Sequence, residues 1–299
     1  MSKNIMTDQA LNQINIVGKL LDVVFRSGTL SDGRNYESAT VTVRVTQTYG
    51  GREEISEIPV SLFAAKYTTA NKLNPGYEQI QNLHNVKTAQ NVGIDEAATV
   101  RINRASIREN NFVSRSGQLI NGWQINTMYI NEGGGVADVA TFNLDIYIMD
   151  MHPEEDRNGD PTGRLIVKGG LVQYNGILDI LEFVVENAET AEYIERNWNV
   201  DDTVNVRGRI RVAVSEVAED KGNSFGEDIP QVTTRTVREL VITTGSPEAK
   251  EEEFAYATSD IRKAFNVRKA KIEQMQVDAQ NHASAKPAAK PAASKYDWE

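Results

Sequence analysis

The chain has 299 residues, a net charge of −10, 40% hydrophobic and 25% charged residues, and no cysteine. This is the composition of a soluble globular protein with room for two ordinary domains, and it excludes disulfides and thiolate metal sites. His84, His152 and His282 lie too far apart for the common zinc patterns, no apolar run approaches the roughly 18 residues a spanning helix needs, and M1-S-K-N-I-M-T-D-Q lacks the apolar centre of a secretory signal, so a cytoplasmic protein without cofactor or membrane partner is expected.

The first element, N12-Q-I-N-I-V-G-K-L20, reads as a strand with a glycine inside it, which suits a bend or a close backbone approach. Strand-like alternation then covers 13–25, 38–49 and 55–64, followed by a Pro-Gly break, a mixed stretch at 77–84, and strands at 99–108 and 123–130. G133-G-G135 reads as a linker. The second half repeats the order: strands at 139–149, 165–174 and 177–185, a helix at 188–198 whose terminal Trp198 should pack on the barrel, and strands at 203–214 and 235–243. T99-V-R-I-N-R-A-S-I-R108 and T203-V-N-V-R-G-R-I-R211 share a local pattern. Five short strands with a helix between the third and fourth is the order of the OB-fold. The expected fold is mainly β: two tandem OB-like five-stranded barrels at 12–131 and 136–247, a C-terminal helix at 252–278, and a disordered tail at 279–299.

The opening N12-Q-I-N-I-V-G-K-L20, the strand A39-T-V-T-V-R-V-T-Q-T-Y49, I58-P-V-S-L-F63 and the hairpin F112-V-S-R-S-G-Q118 occur in the order found in bacterial-type single-stranded DNA-binding proteins. The first half resembles that family over about residues 12–130, and the doubled architecture suggests a viral or otherwise divergent member. The resemblance implies stacking positions at Tyr49, Phe63 and Phe112, and it places Glu57 where the family has a further aromatic.

A sequence-tolerant single-strand site needs aromatics for the bases and cations for the phosphates. Residues 1–131 carry a charge balance of +2, residues 132–247 one of −12 and the remainder none, so the first domain is the expected platform and the second an acidic structural or interaction unit. The expected contacts are Lys19, Arg26, Arg34, Arg44, Tyr49, Arg52, Phe63, Arg104, Arg108, Phe112, Arg115 and Trp123, interleaved with further aromatics such as Tyr36. Simple strand alternation puts Arg104 and Arg108 on one face and Arg101 on the other. H152-P-E-E-D-R-N-G-D160 echoes a calcium loop but has Pro161 where that loop requires glycine, so it reads as an acidic loop, and no constellation demands an enzyme.

From Ser259 to Val277 the pattern is helical, with Ile261, Phe265, Ile272 and Met275 on one stripe that either docks on the second domain or meets another protein. A283-S-A-K-P-A-A-K-P-A-A-S-K295 is low-complexity linker, ending in Tyr296, Asp297, Trp298 and Glu299. This is similar to the family's partner-recruiting tip. The functional expectation is a non-enzymatic protein that binds and protects single-stranded DNA in replication, recombination or repair, with replication or recombination proteins as partners through the tip and homo-oligomerisation left open. The alternative is a scaffold using the two domains for protein contacts.

Overall fold

The computed structural model describes residues 2–114, 116–156, 158–219 and 231–284, without side chains at 214–219, 231–235 and 282–284. In the first half β1 (Asn12–Thr29), β2 (Asn35–Tyr49) and β3 (Arg52–Ala65) pair antiparallel in succession. Helices α1 (Pro75–Leu83) and α2 (Ala89–Val92) follow, then β4 (Thr99–Glu109), the small hairpin β5 (Phe112–Val113) and β6 (Leu119–Ile120), β7 (Trp123–Asn126) and β8 (Asn131–Glu132). Strand β7 lies parallel to β3 and antiparallel to β4, and β4 returns to β1, so hydrogen bonding closes a ring in the order β1-β2-β3-β7-β4-β1.

The second half contains β9 (Val139–Glu155), β10 (Pro161–Val172), β11 (Leu178–Val185), α3 (Ala188–Asn197), β12 (Thr203–Glu219) and β13 (Gln231–Gly245). Its pairing closes as β9-β10-β11-β13-β12-β9, again with one parallel contact, between β11 and β13. The order strand, strand, strand, helix, strand, strand therefore recurs. Several strands run past the lengths that apolar alternation marks, β9 to Glu155 and β12 to Glu219, because their polar ends form long hairpins rather than core.

Alternation explains the core. In β2 Ala39, Val41, Val43 and Val45 point inward and in β3 Ile58, Val60 and Leu62 do the same, all essentially inaccessible. Gly18 is required by contact rather than by a turn: a Cβ there would lie 2.2 Å from the Arg44 carbonyl oxygen. Asn12 explains another polar residue of the opening strand. Its side-chain amide donates to the Ile107 carbonyl (2.8 Å) and its side-chain oxygen accepts from the Ile107 N–H (2.9 Å), extending the β1–β4 ladder past its last backbone pair. The stretch at 77–84 forms α1 because Asn74 caps it, accepting from Gly76 N–H at 3.0 Å, and Pro75 supplies a preset first turn. Buried Glu37 of β2 holds that helix through His84 (2.9 Å) and Gln81.

The rings are joined through β1. Over Asn12–Val17 it pairs with β9 along one edge while Ile14–Lys19 pair with β4 along the other. Two further devices lock the joint. The β2–β3 hairpin reaches β12, where Ser56 Oγ accepts from Val212 N–H (3.2 Å), and Arg209 and Arg211 of β12 grip Glu54, Glu186 and Glu239 at 2.6–3.1 Å. Arg164 joins this network through Glu154 (2.6 Å) and Glu239 (3.1 Å). Helix α4 (Thr258–Ser284) buries Ile261 and packs Phe265 on the core, and its Arg268 Nε donates to Glu109 of β4 at 2.7 Å. The helix thus docks on the second half, as one expectation had it, and also on the first. Trp198 is buried, its indole N–H donating to the Ser246 carbonyl at 3.1 Å. In the 152–160 loop the Asp156 carboxylate accepts from Asn158 and Asp160 N–H, which caps the turn.

Two outcomes follow from this packing. Gly18→Ala forces a methyl into the Arg44 carbonyl and should lower unfolding stability by roughly 1–3 kcal/mol, read from urea midpoints. Hydrogen bonding to Arg164 holds Glu154 below its ordinary value near 4.5, and Glu186 sits below its own, since Arg211 and Arg209 outweigh the burial that pushes it up. Depressed carboxylates contribute stability that is complete above that ordinary value and lost as pH falls through the lower folded one. Urea midpoints should therefore drop on acidification below about pH 4.5, and Glu186→Gln should flatten that drop.

Candidate nucleic-acid interface

The outward face of β1, β2 and β3 carries the residues that the core does not use. The row Arg26, Ser38, Phe63 runs straight across the three strands, and Val24, Thr40, Ser61 forms the next row. Phe63 is 57% exposed, and its ring lies 5.1 Å from that of Tyr36 at a 35° tilt. Tyr36 can lie flat because its cross-strand partner is Gly28, where a Cβ would come within 2.8 Å of the tyrosine hydroxyl. Just past β3, Tyr67 is 40% exposed, with the Lys66 ammonium 5.7 Å from its ring centre. Arg34 donates to the Tyr67 carbonyl (3.0 Å) while Asp32 holds its guanidinium at 2.6 and 2.9 Å, which raises the arginine's pKa and lowers that of Asp32. Three aromatics and three cations thus share one end of this sheet. Arg26, Arg34 and Phe63 were legible as candidates; Tyr36 and Tyr67 complete the cluster.

The other expected contacts are placed differently. Lys19 donates to the carbonyls of Ala97 (2.9 Å) and Asp95 (3.3 Å), and Arg44 pairs with Glu57 at 2.6 Å, so both cations are engaged within the fold. Glu57 at the position of the missing family aromatic thus has a partner of its own. Tyr49 and exposed Arg52 sit at the hairpin tip that leans on β12. The Arg209 guanidinium stacks on the half-buried Tyr49 ring, 4.2 Å from its centre, and burial raises the phenol's pKa. Tyr49 therefore serves the joint instead of offering a free face. Trp123 is buried, Arg238 covers its ring at 4.3 Å, and burial lowers that arginine's pKa. Phe112 is half exposed on β5, beside α4 and away from the patch. Arg115 and the tip Tyr296, Asp297, Trp298 and Glu299 lie outside the described residues.

Arg101 corrects a rule of parity. Between the pairs Ile16–Ile102 and Ile14–Ala105, β4 has two residues, Asn103 and Arg104, where β1 has only Asn15. This bulge keeps Val100, Ile102, Ala105 and Ile107 in the core and turns Arg101, Asn103, Arg104, Ser106 and Arg108 all outward. In the ring β4 neighbours β1 and β7, so its arginine row is separate from the aromatic patch on β2 and β3. Among the described residues no group of three His, Asp or Glu side chains could hold a metal ion, and no helix is long and apolar enough to cross a membrane.

Comparison with known proteins gives three results. No curated protein matches the chain. Two solved structures of the single-stranded DNA-binding protein from Thermus aquaticus are similar at 15% identity and a TM-score of 0.48: the wild type, over 84% of this chain and 98% of that one, and a deletion mutant, over 82% and 97%. A family profile described as YorF matches residues 10–278, a span that runs from just before β1 into the last turns of α4 and takes in both rings. This chain belongs to the YorF family.

Proposed function

We propose that the chain binds single-stranded DNA without strong sequence preference and coats it, without catalysis, in replication, recombination or repair. In this reading each closed ring is an OB-like barrel and a domain of its own, residues 12–131 and 136–247. The observation that carries the proposal is the outward cluster of Tyr36, Phe63 and Tyr67 set among Arg26, Arg34 and Lys66. Exposed rings on a rigid sheet lose little entropy on binding and gain by stacking on any base, and flanking cations neutralise the backbone without reading it. A structural role would bury these rings, as it does Trp123 and Trp198. Arg104 and Arg108 belong to the same proposed contact surface as a second cationic row, and Phe112 as an outlying aromatic. Tyr296 to Glu299 are proposed as the end that recruits a replication or recombination protein.

The test is equilibrium binding of a poly-pyrimidine strand. Phe63→Ala and Tyr36→Ala should each weaken binding by about 1–3 kcal/mol, the usual value of one stacked base, with thermal unfolding nearly unchanged. Affinity should also fall with salt, with a log–log slope of about −0.7 per neutralised phosphate. Unaltered affinity in both folded variants would leave the cluster without this role.

A further inference from the structure

The aromatic cluster belongs to one ring, but the polar surface continues onto the other. Where β4, β1, β9 and β12 lie side by side, their outward residues line a groove of about 690 Å³. Its floor is made of neutral donors and acceptors in cross-strand register, Asn15 opposite Thr141 and Gln13 opposite Asn143, with Arg207 facing Asn143 from β12 and Arg101 on the β4 side. Beyond Arg104 a second hollow of about 480 Å³ runs along Ser106, Arg108, Gln124 and Asn126 and is closed by Tyr174 of the second half.

Tyr174 is 67% exposed and stands at the start of a one-turn helix, Tyr174–Gly176, that is tied to the first half. The preceding residue, Gln173, is buried and donates to the Ile107 carbonyl of β4 (3.1 Å) and to Asp179 (3.0 Å). An aromatic of the second ring is thereby held beside the arginine row of the first. Charge makes the same distinction. Arg209 and Arg211 are consumed by glutamates, but Arg101, Arg104, Arg108 and Arg207 form no ion pair with any described residue. Arg207 donates only to the neutral Asn205 (3.2 Å), and Asp179 is the one carboxylate whose titration Arg108 affects, so the strip keeps positive charge that a polyanion can neutralise.

We infer that this strip is a second track for the same single strand, crossing from the first ring to the second. It rests on the single-strand reading above. Phosphates lie along Arg108, Arg104 and Arg101, a span of about 23 Å at 3.3 Å per strand residue, and pass over the amide floor to Arg207. Tyr174 stacks a base at the Arg108 end. The second ring binds here despite its −12 balance, because the groove answers to local charge and not to the ring's total.

The experiment uses the full chain and two oligothymidylates, one of roughly 8 nucleotides, within the reach of one ring, and one of roughly 30 that can span both. Tyr174→Ala and the double variant Arg101→Gln/Arg207→Gln should leave short-strand affinity unchanged and weaken long-strand binding at least fivefold. The double variant should also reduce the salt slope of the long strand by about 1.4, two contacts at about 0.7 each, and Arg207→Lys should retain binding. Long-strand affinity and salt slope that match the unmodified chain would overturn the second track while leaving the first reading intact. Failure of the unmodified chain to bind either strand would overturn both.

Discussion

Strand β1 hydrogen-bonds along both of its edges over the same few residues, to β4 on one side and β9 on the other. Because each ladder fixes register residue by residue, the two rings cannot rotate about this strand without breaking pairs in both. Everything at the joint follows from that constraint. The β2–β3 hairpin is carried onto β12, where the Glu54 carboxylate meets Arg209 and Arg211; Glu109 at the end of β4 is brought to Arg268 of α4; and Gln173 reaches Ile107. The N-terminal segment adds to it, with Ala10 N–H donating to Val172 and the Tyr256 hydroxyl to Asp8. One shared strand with polar outward positions also makes one continuous polar face out of two rings.

The same joint reconciles a net charge of −10 with the proposed surface for a polyanion. Glu54, Glu186 and Glu239 are spent on Arg209 and Arg211, and Asp145 is buried against Lys250 and Asn205. These acids are neutralised in place and contribute little field at the outer faces. Arg101, Arg104, Arg108, Arg207 and Arg26 face outward without an ion pair to any described residue, Arg207 donating to the neutral Asn205. Net charge therefore sets solubility, and the local pairing pattern sets where phosphates can approach.

Much of this architecture is legible in the sequence. Period-two alternation marks the long strands because each has one buried face, and Gly18 marks a close backbone approach because no side chain fits there. Phe63 is legible because β3 keeps regular parity to its end, whereas Arg26 faces outward only because a bulge at Leu21 shifts the parity of β1. Legibility stops where contacts are non-local. One bulge residue opposite Asn15 reverses the facing of Arg104 and Arg108 relative to Arg101, and nothing in T99-V-R-I-N-R-A-S-I-R108 announces it. Tyr49 and Trp123 look like free aromatics until Arg209 and Arg238, more than a hundred residues away, cover them. Tyr174 has the opposite history: it ends a strand in an acidic half, and only the Gln173 contact brings it to the arginine row.

The most direct measurement is photo-crosslinking of the full chain to an iodouracil-substituted single strand long enough to span both rings, followed by mapping of the modified peptides. A strand that runs from the aromatic cluster across the seam predicts adducts in the same complex at the Tyr36 or Phe63 peptides and at the Tyr174 peptide. Adducts confined to the first ring would contradict it.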